Sequence, residues 1–200
     1  MSVELGEWVI DTALAQMSTW RGLGLDLPVS VNIGALQLQQ KDFPQRLAGI
    51  LARHPDVAPH CLQLEILETS ALQDVARVTG VMHACHAIGV SFALDDFGTG
   101  YSSLTHLKHL PAELLKIDQS FILHMTDNPD DLAIVQGVIG LAGVFHRQVI
   151  AEGVETKAHG DLLLGIGCEL AQGYGVARPM PAQAMPGWTT QWFAETGWTA

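Results

Sequence analysis

Six short apolar runs alternate with segments of helical period along this chain, and that alternation narrows the possible folds more than any other feature. The runs are Val29 to Ile33, Leu62 to Leu67, Val90 to Leu94, Leu114 to Ile117, Gln148 to Ala151 and Glu169 to Ala171. Helical stretches lie near Phe43 to Arg53, Leu72 to Ile88, Asp131 to Phe145 and Lys157 to Ile166, with Gly89 and Gly167 placed as helix-ending residues. Repeated strand, helix, strand order requires parallel strands joined by right-handed crossovers, hence an α/β wound sheet or barrel. Val90 to Leu94 is near-continuously apolar, as a parallel strand covered on both faces should be. A polar or charged residue stands at the carboxyl end of nearly every run: Asn32, Glu65 with Glu68, Asp95 with Asp96, Lys116 with Asp118, Glu152 with Glu155, and Gln172. Side chains converging from strand ends around a ring favour a (β/α) barrel. An open doubly wound sheet gathers its ligand groups at one switch point instead.

The chain opens on a helix, Val3 to Arg21, with no strand ahead of it. A complete TIM-like barrel takes roughly 250 residues and about eight strands. The 200 residues here predict a barrel truncated at its N-terminal side, forming one domain over residues 1–200 with a closing helix in 181–200. Hydrophobic residues make up 48% and charged residues 16%, an ordinary balance for a globular domain with a sizeable core. The formal charge of −11 argues against a nonspecific nucleic-acid or anionic-membrane surface. No run reaches the roughly 18 apolar residues of a membrane span, and no signal peptide opens the chain, so a cytoplasmic location is expected. Ile134 to Phe145, the longest candidate, contains Gln136 and reads as a buried helix. Cys61, Cys85 and Cys168 lie far apart without a CxxC pair and read as reduced core residues.

Asp95 and Asp96 end an apolar strand and run into a turn hinged by Gly98 and Gly100. Two adjacent carboxylates repel, and a buried pair stays ionised only if cations or hydrogen bonds offset repulsion and desolvation. Oxygen-rich sites without Cys or His clustering favour Mg²⁺ or Mn²⁺ over zinc, and Asn32, Glu65, Asp95, Asp96, Asp118 and Glu152 offer such oxygens. The pattern points to metal-assisted chemistry on a phosphate. Other readings stay open for single residues: Asn32 as a turn former, Glu65 and Glu68 as a solvated helix start, the aspartate pair as a helix cap, and Lys116 as a surface lysine on an edge strand. His83 with His86, and His106 with His109, have helical spacing that chance explains in a chain with nine histidines. Gly98-Thr99-Gly100 lacks the third glycine of a dinucleotide fingerprint. Trp188, Trp192 and Trp198 fall near helical spacing, as a closing helix packed on the core would show, or a partner-binding stripe.

Asp95 to Leu104 (DDFGTGYSSL), Lys116-Ile117-Asp118, Ala151 to Glu155 (AEGVE) and Gln172-Gly173-Tyr174 stand in an order that resembles the EAL family of bacterial cyclic-di-GMP phosphodiesterases. The resemblance runs from Leu5-Gly6-Glu7-Trp8-Val9 through Ala177-Arg178-Pro179. It implies metal-dependent hydrolysis of cyclic-di-GMP to linear pGpG on a two-metal site. Asn32, Glu65 and Asp95 would hold one Mg²⁺ or Mn²⁺, and Asp95, Asp96 and Glu152 would surround the second, with Asp118 nearby. Lys116 would orient the attacking water or neutralise charge on the phosphate, and Glu152 is the candidate general base. Glu68 would steady the Gly98, Thr99, Gly100 loop, although the family's usual Thr between the two glutamates is Leu67 here. Glu155 and Gln172 would support ligands or water. No Glu-Ala-Leu tripeptide occurs, so one glutamate ligand is missing, and impaired activity is expected. A homodimer pairing the open sheet edges, and a sensor or GGDEF-type domain in the parent protein, are the implied partners. A silent cyclic-di-GMP-binding or protein-interaction module is the alternative.

Overall fold

A computed structural model describes residues 2–71, 74–99 and 104–195. Gly100 and Trp198, both singled out above, lie outside the described residues. The chain begins with α1 (Val3–Gly22), β1 (Val29–Asn32), the single turn α2 (Ala35–Leu38), α3 (Phe43–Leu51) and β2 (Leu62–Leu67). Then follow α4 (Glu68–Ala71), α5 (Val75–His86), β3 (Ser91–Phe97), α6 (Leu104–His109), β4 (Leu114–Ile117) and α7 (Gln119–Ile122). The last elements are α8 (Pro129–Val144), β5 (Gln148–Glu152), α9 (Lys157–Gly165), β6 (Leu170–Gln172) and α10 (Met185–Glu195).

The six strands among the described residues are all parallel and neighbour each other in chain order, β1 to β6, the arrangement of part of a (β/α) barrel. The register sets Asn32 beside Glu65, Leu67 beside Asp95, Lys116 beside Ile150 and Glu152 beside Gln172. The polar residues of neighbouring strands therefore reach the same end of the sheet. Ile66, Phe92 and Leu94 are among the buried side chains of the core, each worth about 1.5–3 kcal/mol of burial. Truncating Phe92 to Ala would cost about 3–5 kcal/mol.

The helices start where side chains satisfy free backbone donors. Ser2 Oγ accepts from Leu5 N at 3.2 Å at the head of α1, whose buried Gly6, Ile10, Leu14 and Met17 form one helical stripe. Asn128 caps α8 by accepting from Asp130 N, with Pro129 following where no amide is needed. Helix α8 corrects an expectation: it is apolar in sequence but not buried all round. Val135, Val138 and Ala142 face the core, whereas Ile134 is 40% and Val144 72% exposed. The cause is its place on the outside of the sheet, where one stripe suffices for packing. No helix among the described residues is long and apolar enough to cross a membrane. The three cysteines are free and buried.

Strand β3 runs past Leu94 through both aspartates to Phe97, so Asp95 and Asp96 lie inside the strand and not after it. Between Leu94 and Phe97 β3 advances three residues while β4 advances two, Leu115 to Ile117. This extra residue is a β-bulge, and Asp96 takes a positive φ of 55° within it. The short helices α2, α4, α6 and α7 sit at the carboxyl ends of strands or in the loops that follow. Their length is below what helical periodicity can reveal.

Candidate active site

In a regular strand, side chains of adjacent residues point to opposite faces. Asp95 and Asp96 escape that rule through the bulge and the left-handed backbone of Asp96, a conformation that Asp tolerates better than most residues. Ligand oxygens of Asp95, Asp96 and Glu152 all lie within 4.8 Å of one another. Among the described residues this is the sole such group of three or more His, Cys, Asp and Glu side chains. His83, His86 and His109 form no part of it; His86 instead meets Glu113 at 2.8 Å.

Lys116 anchors the centre. Its Nζ lies 2.7 Å from Glu65 Oε2, 2.9 Å from Asp95 Oδ1 and 2.8 Å from Glu152 Oε1, drawing together three strands besides its own. It is 3% exposed on the central strand β4, which excludes a surface lysine on an edge. Burial alone would lower its pKa, but close contacts with the carboxylates of Glu152, Glu65 and Asp95 outweigh that and hold it above its ordinary value. The charged form of Lys116 is thereby favoured. Glu65 and Glu68 are 5% and 3% exposed, so neither is a solvated helix start.

Burial raises the Glu152 carboxyl above its ordinary pKa, against the opposing pull of Lys116, with Asp95 and Glu65 adding repulsion. Asp96 is likewise raised, first by burial and then by the charges of Asp95 and Asp118. Glu65, Asp95, Asp96 and Glu152 set four carboxylates against the one ammonium of Lys116, an excess of three acidic groups. Asp95 Oδ1 is also buried without an aligned hydrogen bond, its contact with Lys116 being an ion pair. A divalent cation fits this donor set, because it would neutralise the surplus and fill the open lone pairs.

The surrounding residues hold the carboxylate-bearing loops. Glu68 Oε2 accepts from Gly98 N at 3.1 Å, and Gly98 has φ 101° with Phe121 beside it. Thr99 turns its hydroxyl back to Asp96 O at 2.9 Å. Asp118 caps α7 by accepting from Ser120 N at 2.9 Å and from the Ser120 hydroxyl, and it lies outside the three-carboxylate group. Asn32 is exposed, in register with Glu65 on the same face of the sheet. Gln172 and Glu155 are both exposed beside the Glu152 loop, where Gln172 O accepts from Val154 N at 3.0 Å. Gln119 is a residue the sequence did not flag: its Cβ would stand 2.6 Å from a Cβ at Gly153, whose φ is 73°. The Asp118-Gln119-Ser120 capping pattern was a legible signal for the turn, but no local signal announces the approach of Gly153.

Fold and site together define a (β/α)-barrel protein with an acidic centre suited to divalent cations. The chain belongs to the EAL domain family, whose model matches residues 1–179. It is 40% identical over 184 residues to the bifunctional diguanylate cyclase/cyclic di-GMP phosphodiesterase MucR of Pseudomonas aeruginosa, covering 92% of this chain and 27% of that protein. A cyclic di-GMP phosphodiesterase of the same organism is 35% identical, covering 92% of this chain and 31% of the relative. The chain thus spans roughly a quarter to a third of the length of these curated relatives. Among solved structures, the EAL domain of Mycobacterium smegmatis DcpA superposes with a TM-score of 0.88 at 40% identity, covering 94% of this chain and 85% of that one. The PaMucR phosphodiesterase in complex with c-di-GMP gives 0.86 at 40% identity, covering 92% and 74%.

Proposed function

We propose that this chain forms the catalytic part of a phosphodiesterase that hydrolyses cyclic-di-GMP to linear pGpG with Mg²⁺ or Mn²⁺. The observation that carries the reading is the bulge in β3, which turns two consecutive aspartates toward Glu152 around a buried lysine. The names of MucR and its complex with c-di-GMP supply the substrate. Asp95, Asp96 and Glu152 would hold one cation, with Asp118 beside Asp96, and Asn32, Glu65 and Asp95 the other. Bound there, the cations would supply Lewis acidity and a water acidified for attack on phosphorus.

The chain's own groups account for the remaining steps. Glu152, whose burial favours the protonated form, is suited to take the proton from the water as its oxygen bonds to phosphorus. The P–O3′ bond breaks, and the released 3′ oxygen gains a proton, so one water is consumed and one linear dinucleotide results. Lys116 neutralises charge gathering on the phosphoryl oxygens. Glu68, Gly98 and Thr99 keep the loop after β3 in place, while Glu155 and Gln172 would support ligands or water. A homodimer that pairs the outer edges of β1 and β6, and a cytoplasmic setting inside a larger signalling protein, complete the proposal.

The test is hydrolysis of cyclic-di-GMP by this chain in Mn²⁺ or Mg²⁺, followed as pGpG, with Asp95→Asn as the control. Metal-dependent pGpG formation that the substitution abolishes is the expected result. One observation favours a second reading, binding without turnover: Lys116 already occupies the space between Glu65, Asp95 and Glu152. Tight nucleotide binding with no pGpG in either metal would select it.

A further inference from the structure

We propose that Gln37 is a positioning residue for Asn32, and that helix α1 in turn fixes Gln37 through the berth left by Gly6. This rests on the reading above, in which Asn32 is a metal ligand.

Gln37 is 0% exposed, an uncommon place for a side-chain amide. Its Oε1 accepts from Gly34 N at 3.3 Å, while its Nε2 is buried with no hydrogen-bond partner among the described residues. An apolar side chain of similar length would fill the same space without stranding a donor, so packing alone does not account for an amide here. Gly6 gives way to it: a Cβ at that position would stand 2.1 Å from Gln37 Oε1 and 2.3 Å from Nε2. A glycine inside a helix weakens it relative to alanine, and at Gly6 the cause is space and not backbone conformation.

The acceptor supplied by Gln37 serves the turn directly after Asn32. Ile33 N donates to Glu65 O at 2.9 Å, extending the pairing of β1 with β2 by one residue. Gly34 then caps α2, a helix of four residues that is too short to hold its own shape. In the usual capping box, a Ser or Thr at the first position shares the work with Gln or Glu three residues on; Gly34 has no side chain to contribute, which leaves Gln37 as the side-chain partner. Gln37 thus tethers the turn, the turn carries Asn32, and α1 presses on Gln37 from the outer layer.

The experiment is Mn²⁺ titration by calorimetry together with hydrogen exchange at the Gly34 amide, on wild type, Asn32→Ala, Gln37→Met and Gly6→Ala. Gln37→Met keeps length and burial but removes the acceptor. It should weaken Mn²⁺ binding by about 10-fold, in the range seen when groups supporting a metal ligand are removed, and speed exchange at Gly34. Gly6→Ala should do the same by displacing the amide. Adding Gln37→Ala to Gly6→Ala should recover melting temperature by relieving the collision, yet leave Mn²⁺ binding weak. If Asn32→Ala weakens Mn²⁺ binding while Gln37→Met matches wild type in affinity and exchange, Gln37 is a packing residue and the proposal is overturned. If Asn32→Ala itself binds Mn²⁺ like wild type, the ligand assignment fails, and the proposal falls with it by a separate route.

Discussion

Asp95 is the residue on which the candidate centre turns, since it meets Lys116 and belongs to the three-carboxylate group. Asp95→Asn preserves size and removes one charge, so calorimetry should show Mn²⁺ affinity falling at least about 10-fold. Equal affinity in the two forms would remove Asp95 from the ligand set. Lys116 differs in kind, because its charge is already balanced in the ground state and gains most from charge that appears during phosphoryl transfer. Lys116→Ala should lower turnover by about 100- to 1,000-fold, like loss of an oxyanion donor, with a much smaller change in nucleotide affinity. Single-turnover hydrolysis beside equilibrium binding separates the two, and a large affinity loss at unchanged turnover would contradict the assignment. At this scale the sequence was informative: residue type and strand-end position marked Glu65, Asp95, Lys116 and Glu152. It could not show that Lys116 touches three of the carboxylates, because those contacts join residues as far apart as Glu65 and Glu152.

Elements translate those residues into a site, and glycines mark where they approach too closely for a side chain. Gly153, just after β5, combines φ 73° with a neighbour that would lie 2.6 Å from any Cβ, namely the Gln119 Cβ at the head of α7. Gly153→Ala should therefore cost roughly 1–2 kcal/mol for the left-handed backbone alone, with more for the collision. It should also reduce turnover, because Glu152 and Asp118 flank the contact. A melting temperature and rate equal to wild type would show that the β5 and α7 loops give way freely. The six strands and the main helices were legible because short apolar runs alternate with longer helical segments along the chain. The bulge was not, since it is defined by how β3 pairs with β4, and a register shift between two strands leaves no mark in the sequence of either one. The exposed flank of α8 was illegible for a related reason: apolar content reports what a helix can bury, while the sheet decides what it does bury.

For the molecule as a whole, the acidic centre makes stability depend on protons and cations together. Folding raises the pKa of Asp96, by burial first and then by Asp95 and Asp118, and raises that of Glu152, again by burial first. A carboxyl raised in the folded state binds its proton more tightly there than in the unfolded chain. Its contribution is thus fully favourable below the unfolded value, about 4, and is lost as pH rises through the folded one. Asp11 and Asp56 act in the opposite sense, because hydrogen bonds from His54 and Ser18 lower them, so total stability mixes both trends. The difference between wild type and Asp96→Asn isolates the centre. Without metal, Asp96→Asn should melt higher than wild type at pH 7, and the gap should close as the pH falls toward about 4. Saturating Mn²⁺ should reverse the order at pH 7, because wild type then gains the free energy of cation binding that the variant largely forgoes. Thermal melts across this pH range, with and without Mn²⁺, make the comparison. A gap that stays constant with pH and keeps its sign in Mn²⁺ would mean that Asp96 carries neither the strained charge nor the cation.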